Sequence, residues 1–240
     1  MLRRFLPLIF CATVMLPAQV PSPDASTALP QDTEEFRNAH ASFLARAKSG
    51  PVGLLFLGDS ITARWSTAPE LWEARYGAHH AANFGLSRDQ TQNLLWRIEH
   101  GELDGLAPRV VVILIGTNNS ASHPASQIVG GIEKIVGLVR AKLPESKILL
   151  LGIFPRGPRK NKQGEDENWE ARMAVINGAN ATLPRLADGK NVHFLDVGHA
   201  FVAPNGEIRT ELLPDRLHPS PAGLRAWANA MQPTLEALLR

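Results

Sequence analysis

Leu54-Leu55-Phe56-Leu57-Gly58-Asp59-Ser60-Ile61-Thr62 places four apolar residues in a row between Gly53 and Gly58. An apolar run this short, bounded by glycines, reads as a strand buried on both faces, the kind found in parallel sheets. Gly58 is read as the residue that lets the backbone turn sharply, so that Asp59 and Ser60 leave the sheet at the strand's carboxyl end. Open α/β sheets bind their ligands in the crevice at that end. Ser60 is therefore a candidate nucleophile; the alternative is that Asp59 and Ser60 only cap the next helix, a role both residue types favour.

Working outward, four more apolar runs repeat the pattern. Residues 81–84 form a shorter strand ending in Asn83-Phe84-Gly85, and Val110-Val111-Val112-Ile113-Leu114-Ile115 runs into Gly116-Thr117-Asn118-Asn119. Residues 148–153 precede Phe154-Pro155-Arg156-Gly157, and 192–197 make a fifth strand. Helical spacing of apolar residues fills the intervals. A helix over 36–47 is opened by an acidic capping pair, Asp32 and Glu35, and closed by Gly50 and Pro51. Others are expected over 61–76 with a break near Pro69, from Asp89 or Thr91 to His100, over 124–142, over 169–186, and from Pro221 to the end. Pro233 is expected to kink or divide the last one. Residues 158–168 form a polar loop long enough to be functional or mobile. Strands alternating with helices imply a single α/β domain over 32–240, a five-stranded parallel sheet with helices on both faces and right-handed crossovers.

Composition sets the broad class. The 240 residues are 44% hydrophobic and 20% charged, enough for one sizeable core, and the net charge of +2 offers no basic stripe for nucleic acid. No cysteine or histidine group has metal-ligand spacing. The N-terminus differs in kind: Arg3 and Arg4 precede an apolar run over 5–16, too short to span a membrane comfortably. Residues 1–20 are read as a signal peptide, with a cleavage point after Ala18 despite Leu16, which implies a secreted or periplasmic protein with no stable membrane insertion once the signal is removed. Cys11, the only cysteine, would leave with it. Residues 21–31, rich in proline, serine and alanine, are read as a flexible leader.

The loops after the strands gather Ser60, Gly85, Asn118 and, in the last loop, His218 at one sheet edge. Hydrolysing an ester takes a nucleophile, a base and donors for the oxyanion. Ser60 suits the first and His218 the second, since imidazole titrates near neutral pH. Asp215, three residues before His218, can orient the ring, or can serve as a helix cap and surface charge. The backbone N–H groups of Ser60 and Gly85 and the side chain of Asn118 are candidate oxyanion donors, although an asparagine after a strand is often a turn former. Asp59, Arg88 and Asp89 are candidates for the pocket wall, with a structural role for Asp89 equally open. Trp65, Trp72 and Trp96 are read as core.

These residues in this order resemble the SGNH (GDSL-type) hydrolase family. Gly58-Asp59-Ser60-Ile61, Asn83-Phe84-Gly85, Gly116-Thr117-Asn118-Asn119 and Asp215-Arg216-Leu217-His218 match its four blocks, and the likeness runs from about Phe36 to the C-terminus. Within the family, 83–119 and Leu150-Leu151-Gly152-Ile153-Phe154-Pro155-Arg156-Gly157 are similar to the platelet-activating factor acetylhydrolase branch. The resemblance implies a flavodoxin-like three-layer α/β/α sandwich, no metal or organic cofactor, and a homodimer. It also implies a serine esterase acting on short acyl groups, acetyl foremost, of a small-molecule or carbohydrate ester. Arg88 departs from it, standing where relatives carry small residues. The rival readings are a lysophospholipase or lipase of the same fold, against which the chain shows no extra apolar lid, and a non-catalytic carbohydrate-binding protein, against which Ser60 and His218 are both retained.

Overall fold

Five parallel strands alternate with helices in the computed structural model, which describes residues 23–161 and 163–240. The strands are β1 (Leu54–Gly58), β2 (Ala82–Gly85), β3 (Val110–Leu114), β4 (Lys147–Leu151) and β5 (Val192–Leu195), in the order β2-β1-β3-β4-β5. All four pairings are parallel, with Phe56 opposite Asn83 on one side and Val112 on the other. The order reverses between β1 and β3, so the loops after these two strands diverge and leave a crevice at their carboxyl ends.

Side-chain alternation divides the core into two layers. Leu55, Leu57, Val111, Ile113, Ile148 and Leu150 face α1 (Glu34–Lys48), α4 (Thr91–Glu99), α5 (Ala125–Lys142) and α6 (Trp169–Asn180). Leu54, Phe56, Val112, Leu149 and Leu151 face α2 (Ser60–Ala63), α3 (Pro69–Tyr76) and α7 (Pro221–Leu239). This is a three-layer α/β/α sandwich around a five-stranded parallel sheet, as expected. Every residue of β1 is buried, and each of its four apolar side chains, Leu54 to Leu57, is worth roughly 1.5–3 kcal/mol of transfer free energy. Trp65 and Trp72 join Phe56, Tyr76 and Trp227 in an aromatic cluster under α3 and α7, with ring centroids 5.0–6.4 Å apart. Trp96 stacks on His100 at 3.8 Å and meets Phe36 at 5.5 Å.

The structure differs from the expectations at several points. Thr33, not Asp32, caps α1, its hydroxyl accepting the Phe36 N–H at 3.1 Å. Pro233 does not divide α7, which runs unbroken through it. Gly58 is demanded by space rather than by an unusual turn: a Cβ there would lie 2.2 Å from Thr62 Oγ1 and 2.3 Å from the Leu114 carbonyl. The largest difference concerns the leader. The signal segment over 1–20 lies outside the described residues, but 23–31 are laid down on the domain. Ala25 is fully buried and its carbonyl accepts from Thr91 Oγ1 at 2.7 Å; the Leu29 carbonyl accepts from Asn93 Nδ2 at 2.8 Å. Gln31 Nε2 donates to the Asp89 carboxylate at 2.6 Å. Proline- and serine-rich composition describes a chain that makes no regular secondary structure; it does not prevent that chain from satisfying polar groups on a neighbouring helix. Among the described residues no helix is long and apolar enough to cross a membrane.

Candidate active site

Ser60 opens α2 directly after β1. The turn is held from within: Asp59 Oδ1 accepts the Ile61 N–H at 2.9 Å and the Asp59 carbonyl accepts the Ala63 N–H. Burial pushes the Asp59 carboxyl up to about 7, against the Ile61 hydrogen bond, with nearby Asp89 adding to the rise and Arg156 opposing it. Ser60 Oγ lies 2.9 Å from His218 Nε2, and His218 Nδ1 lies 2.7 Å from Asp215 Oδ2. Two segments 158 residues apart in sequence meet here. The short Asp215-to-His218 spacing works because Arg216 adopts a left-handed conformation (φ 57°). That tight loop lets Asp215 Oδ1 accept the N–H groups of Leu217, at 3.1 Å, and His218, at 2.7 Å. Half-burial alone would raise the Asp215 carboxyl, but hydrogen bonds from the His218 side chain and backbone, with help from Arg159, hold it well below the usual carboxylate range.

Asn118 follows β3 across the crevice. Its Nδ2 donates to the Asp89 carbonyl at 2.8 Å, which fixes the amide and leaves its second hydrogen uncommitted. Asn119 turns the other way and ties the loop to α4, accepting the Thr91 N–H at 2.9 Å and donating to Gln92 Oε1 at 2.8 Å. Ser60, Asn118 and His218 line one open cavity of about 680 Å³ together with Ser87, Arg88, Arg159, Lys160 and Leu217. A neighbouring hydrogen-bonded carboxylate and imidazole beside a serine hydroxyl, with amide donors facing the same space, is a geometry able to take a proton from the hydroxyl and to stabilise a developing oxyanion.

Three expected site residues are placed differently. Gly85 does not line the cavity: its N–H donates to Asn83 Oδ1 at 2.9 Å, and a Cβ there would lie 2.3 Å from the Ala63 nitrogen. The glycine is required by the close approach of β2 to α2, not by access to a substrate. Asp89 is fully buried between Gln31 and Arg97 and is structural; burial raises its carboxyl to about 6 in spite of Arg97. Asp59 is likewise buried beneath the turn. Arg88 does line the cavity, with φ 65° and its guanidinium paired to Glu35 at 2.8 Å.

Two residues carry roles that the motif blocks did not reveal. Arg97, fully buried on α4, donates to the carboxylates of Asp89 and Glu102 and to the carbonyls of Phe84 (3.2 Å) and Gly58 (3.4 Å). An arginine on an otherwise apolar helix stripe, with an acid five residues on, was the available signal. Arg159, from the 158–168 loop, reaches Asp215 Oδ2 at 3.3 Å; nothing in its local sequence marks it, because the contact is long-range.

Residues 56–226 match the model of the GDSL-like Lipase/Acylhydrolase family. The chain is 34% identical over 223 residues to platelet-activating factor acetylhydrolase IB subunit alpha1 of Rattus norvegicus, covering 93% of this chain and 90% of that protein. Among solved structures, one from Streptococcus pneumonia described as a platelet activating factor superposes with a TM-score of 0.69 at 25% identity, covering 84% of this chain and 92% of that one. A GDSL-like lipase of Bacteroides thetaiotaomicron shares the fold, with a TM-score of 0.66 at 21% identity over 83% of this chain and 97% of its own. The chain thus belongs to the GDSL-like lipase/acylhydrolase (SGNH) family and is a serine carboxylic ester hydrolase of that type.

Proposed function

We propose that this hydrolase removes short acyl groups, acetyl foremost, from the oxygen of a hydrophilic alcohol through an acyl-enzyme intermediate. The single observation that carries the reading is the continuous contact from Ser60 Oγ to His218 Nε2 (2.9 Å) and from His218 Nδ1 to Asp215 Oδ2 (2.7 Å). In this reading Ser60 Oγ bonds to the ester carbonyl carbon as its proton passes to His218 Nε2. The oxyanion accepts from the Ser60 N–H, from Asn118 Nδ2 and, in place of Gly85, from the N–H of Arg88. Its left-handed backbone sits at the cavity wall, and its N–H has no partner among the described hydrogen bonds. The carbon–alkoxide bond then breaks and His218 returns the proton to the departing alcohol. Water repeats the sequence on the acyl-enzyme: its proton goes to His218, its oxygen bonds to the acyl carbon, and Ser60 recovers its proton as the acid leaves.

The substrate preference is supported by the cavity wall, where Leu217 is the only apolar one among the described residues that line it. A long acyl chain would leave polar groups unpaired there, whereas a sugar-like alcohol would engage them. The acetyl preference is supported by the relative of Rattus norvegicus, which is named an acetylhydrolase. The charged and apolar start of the chain supports an exported, secreted or periplasmic enzyme. Hydrolysis of p-nitrophenyl esters from acetate to decanoate, by wild type and Ser60→Ala side by side, tests the reading. Ser60-dependent turnover confined to the shortest esters is expected; turnover that rises with chain length would replace it with a lipase, and turnover retained by Ser60→Ala would remove the nucleophile.

A further inference from the structure

The wall of the cavity beside Asp215 holds more positive than negative charge. Arg156, Arg159 and Arg172 lie together, and the carboxylates paired with them are Glu167, held by Arg156 and Arg172, and Asp215, held by His218 and Arg159; Asp59, which Arg156 also faces, has its carboxyl raised to about 7 by burial. Three guanidiniums thus share two carboxylates, one of which is engaged with the imidazole. Arg156 is almost fully buried, and its Nε and Nη1 have no partner among the described residues. Burial, and then the neighbouring Arg172, bring its guanidinium down to about 10.

Arg159 is the member of this group that faces the cavity. Its side chain is 23% exposed, and among the described residues its Nε is buried without a partner and its one ionic contact, to Asp215 Oδ2, is a long 3.3 Å. Lys160 follows on the same wall, its ammonium donating to the Gly164 carbonyl at 3.1 Å and meeting Asp166 only across an exposed 3.5 Å. Arg88, across the cavity, is already neutralised by Glu35 at 2.8 Å. The uncompensated charge is therefore local to the 159–160 corner, within reach of whatever is attached to the scissile oxygen.

We propose that Arg159 and Lys160 form a subsite for a carboxylate carried on the alcohol part of the ester, so that the preferred substrates are acylated hydroxy-acids, sugar acids included, rather than neutral esters. A carboxylate can accept from Arg159 and Lys160 at once and adds negative charge at the corner where the cations are least closely paired. Because such a group sits on the leaving alcohol, it orients the scissile carbonyl over Ser60 without competing with the acyl group for space. The inference rests on the esterase reading of the same cavity, and its test separates the two.

The measurement is kcat/KM for 4-acetoxybenzoate and for the uncharged 4-acetoxybenzamide, in wild type, Arg159→Gln and Lys160→Gln. Each variant's carboxylate-to-amide ratio is compared with that of wild type, so that leaving-group reactivity and any general effect of Arg159 on Asp215 cancel. The ratio should fall about 10-fold in Arg159→Gln, as expected for loss of a charge-assisted hydrogen bond, and by less in Lys160→Gln. It should also fall in wild type as salt rises from 0.05 to 0.5 M, a reading that needs no variant to fold. Ratios within twofold of wild type in both variants, together with no salt effect, would overturn the subsite while leaving the esterase reading intact. If wild type hydrolyses neither ester, the esterase reading falls, and the subsite is judged by thermal stabilisation with glucuronate against glucose. Stabilisation by glucuronate alone, lost in Arg159→Gln, supports it, and equal response to both sugars overturns it.

Discussion

Arg97 is the residue whose removal tests the physical account of this fold most severely. It sits on α4 with no exposed surface and makes ion pairs with Asp89 and Glu102. Burial by itself would lower its guanidinium, but Glu102 and then Asp89 outweigh that and leave it above its ordinary value. Arg97→Met keeps much of the side-chain volume and deletes the charge, stranding two carboxylates and two strand-end carbonyls, Gly58 O and Phe84 O, in the interior. Breaking a buried pair from one side costs about 3–5 kcal/mol. With two acids stranded the loss should lie near the top of that range, a large share of the roughly 5–15 kcal/mol that holds a domain folded.

The effect on the site follows the same contacts. The Gly58 carbonyl immediately precedes Asp59 and Ser60, and the Asp89 carbonyl holds the Asn118 amide. Loosening Arg97 therefore frees the nucleophile turn and the asparagine together. A misplacement of about 1 Å at a reacting group is able to cost about 10²-fold in rate. Urea unfolding at pH 8 gives the stability loss, and active-site titration gives kcat per folded molecule. The decisive comparison is the triple variant Arg97→Met, Asp89→Asn, Glu102→Gln, in which no charge is left stranded: it should recover at least about 2 kcal/mol of the loss. A loss below about 1 kcal/mol in Arg97→Met, or no recovery in the triple variant, would refute the claim that buried charge balance supports this corner.

The other expectations are smaller in scope. Asn118→Ala should lower kcat by about 10²–10³-fold with little change in KM, because the amide acts on the oxyanion; a pure KM effect would make it a substrate-binding residue. Asp215→Asn should cost about 10⁴ in kcat, as the ring of His218 loses the acceptor that orients it; circular dichroism checks that the fold survives. Asp59→Asn should change the pH dependence of stability. The carboxyl's folded value of about 7 lies above the unfolded value of about 3.9, so wild type loses this contribution as pH rises from about 4 through about 7. The variant carries no such loss, and its stability relative to wild type should be higher at pH 8 than at pH 5 by up to about 2.6 kcal/mol; an equal difference at both pH values would contradict the raised carboxyl. Gly85→Ala should destabilise by about 1–3 kcal/mol, the range for overpacking, because β2 and α2 must separate, measured by thermal unfolding.

The strands and the helices between them were legible because each rests on a local pattern. In β1, β3 and β4 four or more apolar residues in succession cannot be placed in water, and β2 and β5 follow from the alternation with helices around them. Ser60, Asn118, Asp215 and His218 were legible for a related reason: each stands at a fixed offset from a strand or turn that the pattern already located. What escaped was decided by individual hydrogen bonds and backbone angles that residue type does not register. Gly85 has the right residue type and the right position after β2, yet its N–H is taken by Asn83 two residues earlier. The left-handed Arg88 three residues later is the one that reaches the cavity wall. Composition likewise gave no way to know that 23–31 would find hydrogen-bond partners on α4.

The pattern of these misses has a physical reason. An active site of this kind needs donors that point at a substrate instead of at each other, so its backbone groups cannot be assigned by pairing rules that describe the rest of the sheet. The protein compensates by committing the groups just behind them. Asp59 holds the turn under Ser60, the Asp89 carbonyl holds Asn118, and Arg97 holds both Asp89 and the end of β1. Each of those supporting residues is buried and ionisable, an arrangement that costs stability unless it is closed on all sides. Closure at this corner is completed by Gln31, from the very segment whose composition suggested a leader, so that deleting 23–31 should weaken the site even though none of those residues lines the cavity.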